Sequence, residues 1–92
     1  MPIAWTLDRR DFSPQSLSEA AAAWHARAVQ EYSSLALFTQ IASQLHQLVA
    51  PLDWAGAFAR MIADEVRHTD IALRMTELCG GEASEIDPEA LL

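Results

Sequence analysis

Residues Trp54 to Cys79 read WAGAFARMIADEVRHTDIALRMTELC. Taken at alternating steps of four and three, Trp54, Phe58, Met61, Glu65, His68, Ala72, Met75 and Cys79 fall on one face of a helix. Six of the eight are apolar, and the two exceptions, Glu65 and His68, are neighbours on that face. The spacing predicts a helix that starts near Pro51, where Asp53 suits the positive N-terminal dipole, and runs to Cys79. Gly80 and Gly81 supply the stop. Gly56 sits in the first turns and costs about 1 kcal/mol relative to Ala.

The stretch before Pro51 repeats the pattern. Trp24, Ala28, Glu31, Leu35, Phe38, Ala42, Leu45 and Val49 take the same steps, and Glu31 alone is not apolar. Ser13 before Pro14 is a capping hydroxyl ahead of proline at the first helical position. Ser16 with Glu19 offers a second start of the capping-box type. From either start the helical pattern continues to about Val49. The connection is too short for anything but an antiparallel hairpin. Three regions follow: an extended N-terminal segment over 1–12 with Trp5 and Phe12 free to pack, a helical hairpin over 13–81, and an acidic tail over 82–92, mobile or docked to a neighbour.

Composition narrows the class. The 92 residues are 51% hydrophobic and carry 13 acidic against 6 basic side chains, a formal charge of −7. Phosphate binding needs clustered Lys and Arg, so nucleic acid is not an expected partner. An acidic disordered segment would be far poorer in apolar residues. A single cysteine, Cys79, makes no internal disulfide and by itself no zinc or iron–sulfur site. No uncharged apolar run reaches about 18 residues, so no membrane span is expected. Met1 to Asp11 lacks the apolar core of a signal peptide, which makes a cytoplasmic location the default. So short a chain with so much apolar surface raises the question of what covers it.

A carboxylate inside an apolar stripe is costly unless it is paired, hydrogen-bonded or coordinated. Glu31 stands about 17 residues before a turn near Leu48, and Glu65 and His68 about 14 and 17 after Pro51. At about 1.5 Å of rise per residue the heights differ by roughly 5 Å at most. Glu31, Glu65 and His68 can therefore meet at one level. Residues i and i+3 project from one side of a helix, so Glu65 and His68 can serve one ion. Carboxylate oxygen with one imidazole suits iron or manganese better than a thiolate-seeking metal.

One Glu on one helix and Glu-x-x-His on the next is half of the ligand set of di-metal carboxylate bundles. With Tyr32, Ser33, Ser34 and Phe38 after Glu31, and Asp64 to His68 on the second helix, residues 16–80 resemble the first half of the ferritin-like superfamily. Standard members carry two such hairpins in one chain, and this chain carries one. In that respect it is similar to encapsulated ferritins, whose two-helix subunits dimerise to complete the bundle. The resemblance implies an all-α hairpin that dimerises into a ferritin-like four-helix bundle, as a homodimer or a larger homo-oligomer. It implies two iron ions per dimer, or manganese, held by Glu31, Glu65 and His68 of each subunit. It also implies ferroxidase-type oxidation of Fe²⁺ with O₂ or peroxide. The competing readings are a di-iron oxygenase acting on an organic substrate, with room left by Ala28 and Ala72, and a metal-free helical dimerisation module or the first part of a longer bundle.

Other residues have plainer roles open to them. Glu31 can pair with Arg27 one turn away or with an arginine across an interface, and Glu65 with His68 can be a solvated pair. Asp64 can orient His68 or pair with Arg60 or Arg67. Tyr32 reads as a packing residue with its hydroxyl at the rim. His25 and His46 lie off the stripe and read as surface residues, and Cys79 as a small apolar residue at a helix end.

Overall fold

A computed structural model describes residues 5–82, so part of the expected N-terminal segment and nearly all of the acidic tail lie outside the described residues. Two α-helices, α1 (Pro14–Gln47) and α2 (Leu52–Leu78), pack along one another, and the described residues contain no strand. The start of α1 is the Ser13–Pro14 signal: the Ser13 hydroxyl accepts the Ser16 N–H at 3.0 Å. The second helix begins one residue later than expected, because Pro51 acts as its N-cap without a side-chain hydrogen bond. The segment expected to be extended contains a short 3-10 turn at Arg9–Asp11, capped by the Asp8 side chain on the Arg10 N–H.

Both helices end in the same motif. After α2, the N–H groups of Gly80 and Gly81 bond to the carbonyls of Glu77 and Thr76, with Gly80 at φ +92°. After α1, the N–H groups of Val49 and Ala50 bond to His46 and Leu45, with Val49 at φ +53°. These are paired Schellman bonds, 5→2 and 6→1, which use up orphan helix carbonyls. The left-handed residue at the first turn is thus a valine. Val49 is not the last stripe residue the heptad count makes it: it lies past the helix end and is 87% exposed.

Arg9 closes the other end of the hairpin. Its Nε and Nη2 donate to the carbonyls of Leu78 and Glu77 at 2.9 and 2.8 Å. A guanidinium at a helix C-terminus satisfies free carbonyls and opposes the negative end of the dipole. Trp5 lies against Arg74, whose guanidinium is 5.7 Å from the ring centre.

The interface between the helices is built from small residues at this end and aromatics nearer the turn. Ala21, Ala28 and Ala72 are buried, with Thr69 and Thr76 beside them. Both threonine hydroxyls donate to the carbonyl four residues back, at 2.8 Å each, so their burial leaves no unmade bond. Toward the turn, Phe38 and Phe58 meet edge to face with centroids 6.2 Å apart, a favoured aromatic arrangement.

The object is thin, 54 × 36 × 16 Å, with a radius of gyration of 16.5 Å. A compact chain of this length would have about 12 Å. A stable domain normally sandwiches its apolar faces between layers, and this hairpin is a single layer.

Candidate metal centre

The apolar stripe of α2 splits into two rows. Phe58, Glu65, Ala72 and Cys79 turn toward α1 and are buried or half-buried. Trp54, Met61 and His68 are exposed on the open side of the hairpin. A heptad stripe is two rows wide, and one neighbouring helix covers only one of them.

Glu31 on α1 meets both rows. Its Oε2 lies 3.6 Å from Nδ1 of His68, and Oε1 of Glu65 lies 3.8 Å from the same nitrogen. One ligand atom from each of the three residues lies within 4.8 Å of the others. These separations are too long for direct hydrogen bonds. Donors on one metal ion at about 2.1 Å stand roughly 3–3.5 Å apart, so a small tightening would place all three on a common cation. The side chains of Glu31 and Glu65 are only 13% and 15% exposed, whereas that of His68 is 52% exposed. The group thus has a covered carboxylate side and an open imidazole side.

Its electrostatics are those of two carboxylates forced together. The Glu65 carboxyl is held above the usual glutamate range, first by its hydrogen bond to Glu31 and then by burial. Glu31 is held below that range, first by the same bond, with Arg27 also lowering it. Two carboxyl groups sharing one proton behave this way. Oε2 of Glu65 is buried and has no hydrogen-bond partner among the described residues. A buried carboxylate oxygen without a donor is costly, and a cation would satisfy it. The residues present fit an oxygen-preferring divalent ion.

The surrounding residues divide between the readings open in the sequence. Arg27 donates from Nε to Oε1 of Glu31 at 2.9 Å, so the pairing one turn away is real and leaves Oε2 for the group. Asp64 bonds to Arg67 rather than serving His68. His46 and Tyr32 are exposed, His25 is half-buried, and Cys79 is buried at the end of α2. A groove of about 750 Å³ opens beside the group, lined by Trp24, Arg27, Gln30, His68, Ile71 and Ala72 among others. The sequence pattern did not reveal this groove, because it forms where the outer row of α2 stands uncovered. Among the described residues no helix is long and apolar enough to cross a membrane.

The chain matches no protein-family model, no curated protein and no solved structure.

Proposed function

We propose that the hairpin is half of a ferritin-like di-metal protein and that two copies, facing each other across the open row of α2, complete a four-helix bundle. A two-fold axis through that face would bring together four Glu and two His, from Glu31, Glu65 and His68 of each copy. The observation that carries the reading is the convergence of these three side chains, from two helices, inside an otherwise apolar stripe. The uncovered row of Trp54, Met61 and His68 supports the dimer, since a soluble chain seldom leaves such a stripe without a partner.

Glu31 and Glu65 would supply anionic oxygen and His68 a neutral nitrogen, a set that suits iron and also manganese. Bound there, a pair of iron ions would supply the electrons for reduction of O₂ or peroxide. The protein's own part is to hold the donors in place, to balance added positive charge with carboxylate, and to give up the proton shared by Glu31 and Glu65. The activity proposed is a ferroxidase, with Fe²⁺ as substrate. The groove beside His68 favours one second reading, an oxygenase whose organic substrate lies against Trp24 and Ile71.

The test is the mass of the purified protein in solution, with iron and manganese per chain. A dimer holding metal is expected. A metal-free monomer would defeat the reading. Oxidation of added Fe²⁺ without an organic substrate favours the ferroxidase; dependence on one favours the oxygenase.

A further inference from the structure

Arg27 stands one helical turn before Glu31, and its guanidinium holds one of the two oxygens that a metal would use. The bond from Nε to Oε1 is 2.9 Å, while the other oxygen, Oε2, faces Nδ1 of His68 at 3.6 Å. Glu31 is therefore divided between an internal cation and the candidate centre. The Arg27 side chain is 63% exposed and lies along the groove that opens beside Glu31 and His68. Its Nη1 and Nη2 make no hydrogen bond among the described residues. Among the described residues Glu31 is its one hydrogen-bond partner, so moving outward would break a single ion pair.

We infer that Arg27 is an internal competitor for the metal, displaced from Glu31 as a cation binds, an inference that rests on reading Glu31, Glu65 and His68 as the ligands. Two effects make it a competitor. Oε1 cannot serve Arg27 and a metal equally well, because a hydrogen bond to a guanidinium and a bond to a divalent ion draw on the same electron density. The fixed positive charge also repels a divalent ion arriving a few ångströms away. At about 5 Å and a water-like dielectric that repulsion alone amounts to roughly tenfold in Kd. An exposed ion pair is weak, so the metal can win, at the cost of lower affinity. With Arg27 in place, Oε2 of Glu31 is the oxygen that faces the group, and Oε1 would be a weaker donor while Arg27 holds it. The residue thus sets how readily the centre fills and keeps Glu31 charge-balanced until it does.

The test is a Mn²⁺ titration of the purified full chain, wild type beside Arg27→Gln, Arg27→Lys and Glu65→Gln, at low and at about 1 M salt. Arg27→Gln should bind Mn²⁺ about tenfold more tightly, with the same number of ions per chain. Arg27→Lys, which keeps the charge, should stay within about twofold of wild type. The gap between wild type and Arg27→Gln should narrow at 1 M salt, where the Debye length is about 3 Å. A merely structural arginine would give no gain on removal and no rescue by lysine. Equal or weaker binding in Arg27→Gln overturns the competitor role. Glu65→Gln separates the two levels. If it abolishes the Mn²⁺ binding seen in wild type, the ligand reading stands whatever Arg27 does. If no form binds Mn²⁺, both fall.

Discussion

Nδ1 of His68 on α2 stands 3.6 Å from Oε2 of Glu31 on α1, too far for a hydrogen bond and close enough for a shared cation. Glu65 completes the group from the same helix as His68, and its Oε2 is buried without a hydrogen-bond partner among the described residues. The hairpin carries an arrangement that costs stability where an apolar triplet would add it. A site kept against such a cost is a candidate for function.

The first prediction follows from that cost. Glu65→Leu removes a buried oxygen without a donor and ends the contact between two carboxyl groups. The metal-free protein should gain about 1–2 kcal/mol, while metal binding is lost. Thermal unfolding with and without Mn²⁺ reads both effects. Wild type should unfold at higher temperature with Mn²⁺ present, by mass action on the folded state. Glu65→Leu should start higher and not respond. A variant less stable than metal-free wild type would show that the carboxyl pair is a structural contact.

Metal binding should strengthen with rising pH. Glu65 is raised, so in the metal-free protein it holds its proton above the usual glutamate range, and a metal must displace it. Mn²⁺ affinity should climb as pH rises through the raised Glu65 value and then level off. The metal-free protein follows two opposite trends. The raised Glu65 contributes stability that is full below its unfolded pKa and is lost as pH rises through its folded value. The lowered Glu31 contributes stability that is present above its unfolded pKa and is lost as pH falls through its folded value. Between those two values the pair holds one proton and costs the hairpin least. Denaturant midpoints across this acidic window should peak in wild type and lose the peak in Glu31→Gln.

Much of this was readable from spacing alone. Two heptad stripes interrupted only at Glu31, Glu65 and His68 predicted both the hairpin and the level at which the three meet. The division of the α2 stripe was not readable. Glu65 and His68 are equally on the stripe by count, and only packing against α1 turns one inward and leaves the other out. The true end of α1 was hidden for a related reason. Val49 continues the apolar period, and nothing in its chemistry announces a left-handed residue, whereas Gly80 announces one at the end of α2. The 3-10 turn at Arg9–Asp11 depends on Asp8 and on Arg9 reaching the end of α2, a contact far apart in sequence.

Val49 gives a prediction independent of metal. A β-branched residue at φ +53° is strained, by about 1–2 kcal/mol relative to glycine, and its side chain packs little, being 87% exposed. Val49→Gly should raise stability by about 1 kcal/mol, after the larger chain entropy of glycine in the unfolded state is set against the strain. Gly80→Ala, at the equivalent position after α2, should lower it by a similar amount. Chemical denaturation of the two variants checks both signs, with metal content per chain unchanged in each.

Met61 tests whether the open row is an interface. It lies one heptad before His68, and with Trp54 it forms the uncovered apolar part of that row. Met61→Glu removes no ligand. It would place a carboxylate on each side of a two-fold interface, where like charges and lost apolar contact both oppose association. The expected result is a helical protein near the chain mass of 10.2 kDa, with wild type at about twice that mass by light scattering. Metal should be lost along with the dimer, although Glu31, Glu65 and His68 are all intact, because in the proposed assembly each hairpin would hold only half of the donors. Met61→Leu, apolar and of similar volume, should keep both the dimer and the metal. A Met61→Glu protein that stays dimeric with full metal content would place the interface on another face of the hairpin.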